Sequence, residues 1–156
     1  MYKNILVPVD LDDPSASESA LATASALAKC FSAKITICSI VRSSEALAGG
    51  EWFPISFEQL LFEARMKLDS IKARLDKGLA VEIEVGTGTI CAGVLDVASR
   101  TSSDLIVLAS HRPGVADYVH AANAARIARR ATGSVLVVRE EPLVRGAQQQ
   151  EEVMGA

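Results

Sequence analysis

Apolar residues come in five short runs along the chain: Ile5–Val9, Ile35–Ile40, Val81–Val85, Leu105–Leu108 and Val135–Val138. Between the runs, apolar positions recur at helical spacing. The first such segment carries Ala20, Leu21, Ala24, Leu27, Ala28 and Phe31 on one face, and Ser15 with Glu18 three residues later predicts a capping box at its start. The second opens at Ser56, with Gln59 in the same relation and Ile55 able to staple against Leu60. Its stripe runs Leu61, Ala64, Leu68, Ile71 and Leu75, and Gly78 predicts the stop. The third runs from Cys91 to Thr101 with Val94, Leu95 and Ala98; the fourth follows Asn123, its predicted N-cap, and stops at Gly133.

Strand and helix alternate throughout, which predicts an open α/β sheet with right-handed crossovers. Ile5–Val9 and Leu105–Leu108 are nearly continuous apolar runs, as strands covered on both faces require. The run at Val81 alternates with Glu82 and Glu84, which suits an edge, whereas the last run is apolar on both faces. The connection from Val41 to Pro54 has no period and reads as an excursion before the second helix. Residues 140–156 are polar and read as a C-terminal tail, leaving one domain over residues 1–139.

Composition narrows the class. The 156 residues are 49% apolar and 22% charged, an ordinary globular balance, and the net charge of −3 gives no general attraction for nucleic acid or an anionic membrane. No stretch approaches the roughly 18 apolar residues of a membrane span, and the first run is too short for a signal-peptide core. Cys30, Cys38 and Cys91 are an odd number without metal-like spacing, so reduced thiols and a cytoplasmic location are expected.

Ligands of an open parallel sheet bind beyond the strand C-termini, where the strand order reverses. If the chain winds outward from the first strand and returns on its other side, that point lies between strands one and four. The loops there begin Val-Pro-Val-Asp-Leu-Asp-Asp and Leu-Ala-Ser-His-Arg-Pro-Gly. Asp10 could bond a base or sugar edge, or cap a turn with Asp12 and Asp13. Arg112 could present its fork of donors to a phosphate. A hydrolase triad of Ser110, His111 and Asp10 is disfavoured, because neighbours in an extended segment point opposite ways and no nucleophile elbow is present. No enzymatic activity is therefore expected, a weak ATP hydrolase being the alternative. His111 has only His120 to join it, so no metal site is expected. Amides following Asn123 would face the sheet mouth and suit an anion. Arg126, Arg129 and Arg130 read as a solvated face near a helix C-terminus rather than a nucleic-acid footprint. Gly-Thr-Gly-Thr at 86–89 lacks the spacing and Lys of a phosphate loop and reads as the turn into the third helix.

Together, the opening "MYKNILVPVDLDDPSASESAL", "SSDLIVLASHRPG" and "AARIARRATGSVLVVR" resemble the universal stress protein family over about residues 1 to 139. The resemblance implies a three-layer α/β fold of the adenine nucleotide alpha hydrolase-like kind. Its parallel five-stranded sheet has the order 3-2-1-4-5, with helices on both faces. It also implies a dimer. Many members bind ATP through Gly, two residues, Gly, nine residues, then Gly-Ser or Gly-Thr. Here Ala109 and Arg112 stand at the first two glycine positions, and either Ala121-Ala122 or Ala122-Asn123 stands at the final pair, depending on the register. One subgroup that carries Ala-Ser-His-Arg-Pro at this place nevertheless binds nucleotide. By resemblance, Pro8, Val9 and Asp10 would hold adenine with Ile40, while Leu108, Ala109, Ser110 and Arg112 line the ribose and phosphates. Ala121, Ala122 and Asn123 would offer backbone amides. The expected ligand is ATP or another adenine nucleotide, bound weakly in a stress-response or regulatory role; the alternative is a dimeric interaction module of the same fold that binds none. The expected partner is a second copy paired through Ser134 to Val138, with an unidentified regulatory protein possible and no nucleic acid or membrane.

Overall fold

A computed structural model describes residues 1–42, 56–110 and 117–139, the last segment with its side chains from residue 122 onward. Its strands are β1 (Asn4–Pro8), β2 (Lys34–Val41), β3 (Val81–Thr87), β4 (Leu105–Ser110) and β5 (Ser134–Arg139). Its helices are α1 (Glu18–Phe31), α2 (Phe57–Arg74), α3 (Ile90–Arg100) and α4 (Asp117–Arg130). All strand pairs are parallel, in the order β3-β2-β1-β4-β5. The alternating Val81 run is indeed an edge. The connection after Arg42, through residue 55, and the tail from residue 140 lie outside the described residues.

Side chains alternate across the sheet and so divide the core into two layers. Ile5, Val7, Ile35, Ile37, Leu105 and Val107 pack with Ala24 of α1 and Leu68 and Ile71 of α2. Leu6, Cys38, Ile106 and Leu108 pack on the other face with Val94 and Val97 of α3 and Ile127 of α4. Ile5, Leu6 and Val7 are all fully buried, which is why the central strand reads as an unbroken apolar run.

Three helix boundaries differ from the sequence reading. Pro14–Ser17 forms one turn of 3-10 helix, so α1 starts at Glu18 rather than at a Ser15 cap. Proline stands at the head of that turn, the Ser15 hydroxyl bonds Asp13, and the Ser17 hydroxyl serves the Asp10 loop instead. The second helix is capped as expected, Ser56 Oγ accepting from the Gln59 N–H at 3.1 Å, but it ends at Arg74, before Gly78. The largest difference is α4, which begins at Asp117 and places Asn123 in its second turn. Alanines at 121, 122, 124 and 125 are the strongest helix formers and outweigh the modest cost of one interior asparagine.

One end of the sheet is tied shut through Asp104, just before β4. Its carboxylate accepts from the N–H groups of Lys3 and Asn4 at 2.8 and 3.1 Å. Its own N–H donates to the Asn4 carbonyl, and its carbonyl accepts from the Ser134 N–H, both at 3.0 Å. A Cβ at Gly133 would lie 2.7 Å from that carbonyl oxygen, so the close approach of β5 depends on glycine there.

Candidate functional site

The opposite, C-terminal end behaves differently. β1 and β4 are paired only at Ile5↔Leu105 and Leu6↔Ile106, although β1 continues to Pro8 and β4 to Ser110. Successive N–H groups of a strand point to opposite neighbours. The Val9 N–H goes to the Cys38 carbonyl of β2 at 2.8 Å, so position 8 faces β4. Proline has no N–H to offer there. The ladder lapses, and the ends of β1 and β4 run on unpaired at the reversal of strand order, the crevice position at which open α/β sheets hold their ligands.

Pro8, Asp10, Ala109 and Ser110 are half-buried at this mouth. Val9 is 6% exposed and Leu108 7%, with their side chains in opposite core layers, so these two support the walls from beneath. The Asp10 loop is built locally. The Asp10 N–H donates to Ser17 Oγ at 3.3 Å, and Asp10 Oδ1 accepts from the Asp12 N–H at 2.9 Å. This is the turn role weighed from the sequence, and it engages only one carboxylate oxygen. The other has no partner among the described residues and stays available to a hydroxyl or amino group.

Ile40 stands two residues beyond Cys38, the register partner of Pro8, and is therefore level with Asp10. It is half-buried and belongs to the α3/α4 layer. Next to it, Gly88 takes a left-handed φ of 98° and Thr89 Oγ1 accepts from the Ala92 N–H, so the Gly-Thr-Gly-Thr stretch ends β3 and caps α3. What the sequence reading missed is that Gly86 and Gly93 receive the Ile40 side chain. A glycine inside a strand is the signal that would have found it, since it marks a close approach.

His111 and Arg112 lie outside the described residues. Ala121, Ala122 and Asn123 are within α4, where N–H groups past the first turn donate to the carbonyl four residues back. The expectation that these three offer free amides is therefore corrected. The amides that helix geometry leaves without an intrahelical partner are those of residues 117–120. Among the described residues, no group of three His, Cys, Asp or Glu side chains could hold a metal ion, and no helix is long and apolar enough to cross a membrane.

Burial pushes the Cys38 thiol up to about 12, with Glu84 adding to the effect. Cys38 itself is fully buried beneath the mouth. At the far edge, Leu136 and Val137 of β5 are both 37% exposed.

Several solved structures share this architecture. A universal stress protein family member from Burkholderia pseudomallei superposes with a TM-score of 0.66 at 23% identity, over 88% of this chain and 96% of its own. A universal stress protein in complex with cAMP gives 0.62 at 20% identity, over 88% and 97%. The Archaeoglobus fulgidus universal stress protein in complex with dAMP gives 0.58 at 17% identity, over 87% and 97%. At such identities the likeness establishes the fold. The model of the universal stress protein family itself matches residues 1–139, and the chain belongs to that family.

Proposed function

We propose that this protein binds an adenine nucleotide in the crevice between the ends of β1 and β4, as a small cytoplasmic protein of the stress response or its regulation. The observation that carries the reading is the lapse of the β1–β4 ladder before Pro8, which leaves the ends of the two strands unpaired at the reversal of strand order. Relatives of the same fold in complex with cAMP and dAMP support an adenine ligand. The base enters between Pro8–Asp10 and Ala109–Ser110 with Ile40 at its side, and the free Asp10 oxygen accepts from a ribose hydroxyl or the exocyclic amine. The phosphates lie toward the first turn of α4, where amides without an intrahelical partner and the helix dipole favour an anion.

Binding is weaker than with an intact glycine-serine pair. Loss of one charge-assisted hydrogen bond costs about 1.5–3 kcal/mol, roughly ten- to a hundredfold in affinity. Among the described residues no general base stands beside a nucleophile, and the reading is of binding without turnover. A homodimer formed through β5 accompanies it, because Leu136 and Val137 are exposed on an edge strand that an isologous copy would cover. The interaction-module alternative draws support from one observation, the engagement of the Ala121–Asn123 amides within α4.

Titration calorimetry with ATP and AMP tests the proposal. Micromolar or weaker binding is expected, lost when Ala109→Trp fills the crevice. A folded protein that gives no heat at millimolar ATP would leave the interaction module as the function.

A further inference from the structure

Ile40 does not stand upright on the sheet. A Cβ built at Gly86 of β3 would lie 2.5 Å from Ile40 Cδ1, and one built at Gly93 of α3 would lie 2.7 Å from Ile40 Cγ2. Cδ1 therefore leans toward β3, away from β1, and Cγ2 toward α3, into a notch that exists because two facing positions, on a strand and on a helix, lack a Cβ. Gly86 is the register partner of Ile40, and both glycines are buried. Neither has a positive φ. Conformational freedom does not explain them, whereas the space they leave does.

From this geometry we infer that Gly86 and Gly93 are positioning residues for the nucleotide site: by drawing Ile40 toward β3 they hold the crevice open above Asp10, and Ile40 thereby sets the width available to a planar base. The inference rests on the proposed adenine reading. Carbon atoms in ordinary contact sit about 3.5–4.0 Å apart. A methyl added at position 86 therefore displaces Ile40 Cδ1 by about 1 Å away from β3, the direction of β1 in the strand order. One methylene of misfit in an apolar pocket changes affinity by about 10- to 200-fold.

The test uses the full chain with AMP as probe. Methyl NMR of the unsubstituted protein should show the Ile40 δ1 signal moving on AMP addition. Gly86→Ala should weaken AMP binding by about tenfold or more, and adding Ile40→Val, which deletes the displaced atom, should recover most of the loss. Val97 Cγ2 also lies 2.9 Å from the added methyl, but it is common to both variants, so the recovery isolates Ile40. A purely structural notch would instead change melting temperature while leaving the affinity of the folded protein untouched, and that result overturns the inference. Should Gly86→Ala fail to fold, the unsubstituted protein still decides. If AMP moves the Leu108 methyls and leaves Ile40 unmoved, the inference is wrong and the nucleotide reading stands; if no methyl moves at millimolar AMP, both fall.

Discussion

The two ends of the sheet are built on opposite plans. At the N-terminal end, Asp104 alone makes four hydrogen bonds that tie β4 to Lys3, Asn4 and Ser134. At the C-terminal end, the same two central strands part after two register pairs, and proline replaces the donor that would have continued them. A crevice can remain open in a folded domain only if the strands that flank it are fixed elsewhere. The Asp104 clamp supplies that fixture, and the loss of pairing at Pro8 supplies the site.

Removing the clamp should have the largest effect at neutral pH. Asp104→Ala leaves the Lys3 and Asn4 N–H groups without their acceptor. Hydrogen bonds to a charged group are worth about 1.5–3 kcal/mol each, and partial exposure of this pair brings the expected loss to about 2–3 kcal/mol in chemical denaturation. Nucleotide affinity of the folded protein should be nearly unchanged. A fall in affinity as large as the fall in stability would mean that the two ends are not independent.

The depth of the opening can be read from Cys38, which stands beside Pro8 in the β1–β2 register. Its folded pKa of about 12 lies above the ordinary 9.0 of the free thiol. The raised value means its contribution is fully present below pH 9 and is lost as pH climbs toward 12. Stability should therefore fall by about 1.4 kcal/mol per pH unit in that window, and Cys38→Val should remove this part of the alkaline loss. If wild type and variant follow the same alkaline curve, water reaches the thiol and the crevice is deeper than described.

A smaller effect is expected one step further down. Thr36, level with Leu6 where the β1–β4 pairing ends, is 1% exposed, and its hydroxyl has no partner among the described residues. Thr36→Val should raise stability by about 1 kcal/mol, since an unpaired buried hydroxyl carries a desolvation cost of about 1–3 kcal/mol. A loss instead would indicate a water held at that level and a less sharp boundary between the two ends.

Much of this arrangement is legible in the amino-acid sequence. The strands announce themselves because both faces of the central ones are buried, and the Ser56 cap follows from local chemistry. The start of α4 does not, because Asn123 is as good a cap as a sequence can offer, and only the surrounding alanines reveal that the helix runs through it. The strand-end rule and the resemblance point Asp10 and Ala109 to the mouth. The glycine inside β3 signals a close approach, but that Ile40 is what approaches depends on which strand and helix lie across from one another, and no local pattern encodes that partner. Pro8 was visible, but its effect on pairing needs the direction of its missing N–H, which the Val9 bond to Cys38 reveals.

Hydrogen exchange with and without saturating ATP tests the central claim most directly, because it compares both ends of the sheet in one experiment. The account predicts added protection at Val9 to Asp13 and in the first turn of α4, with no change at Lys3–Asn4 or Ser102–Asp104. Protection confined to the Asp104 end, or none anywhere, would contradict a nucleotide site at the parting of β1 and β4.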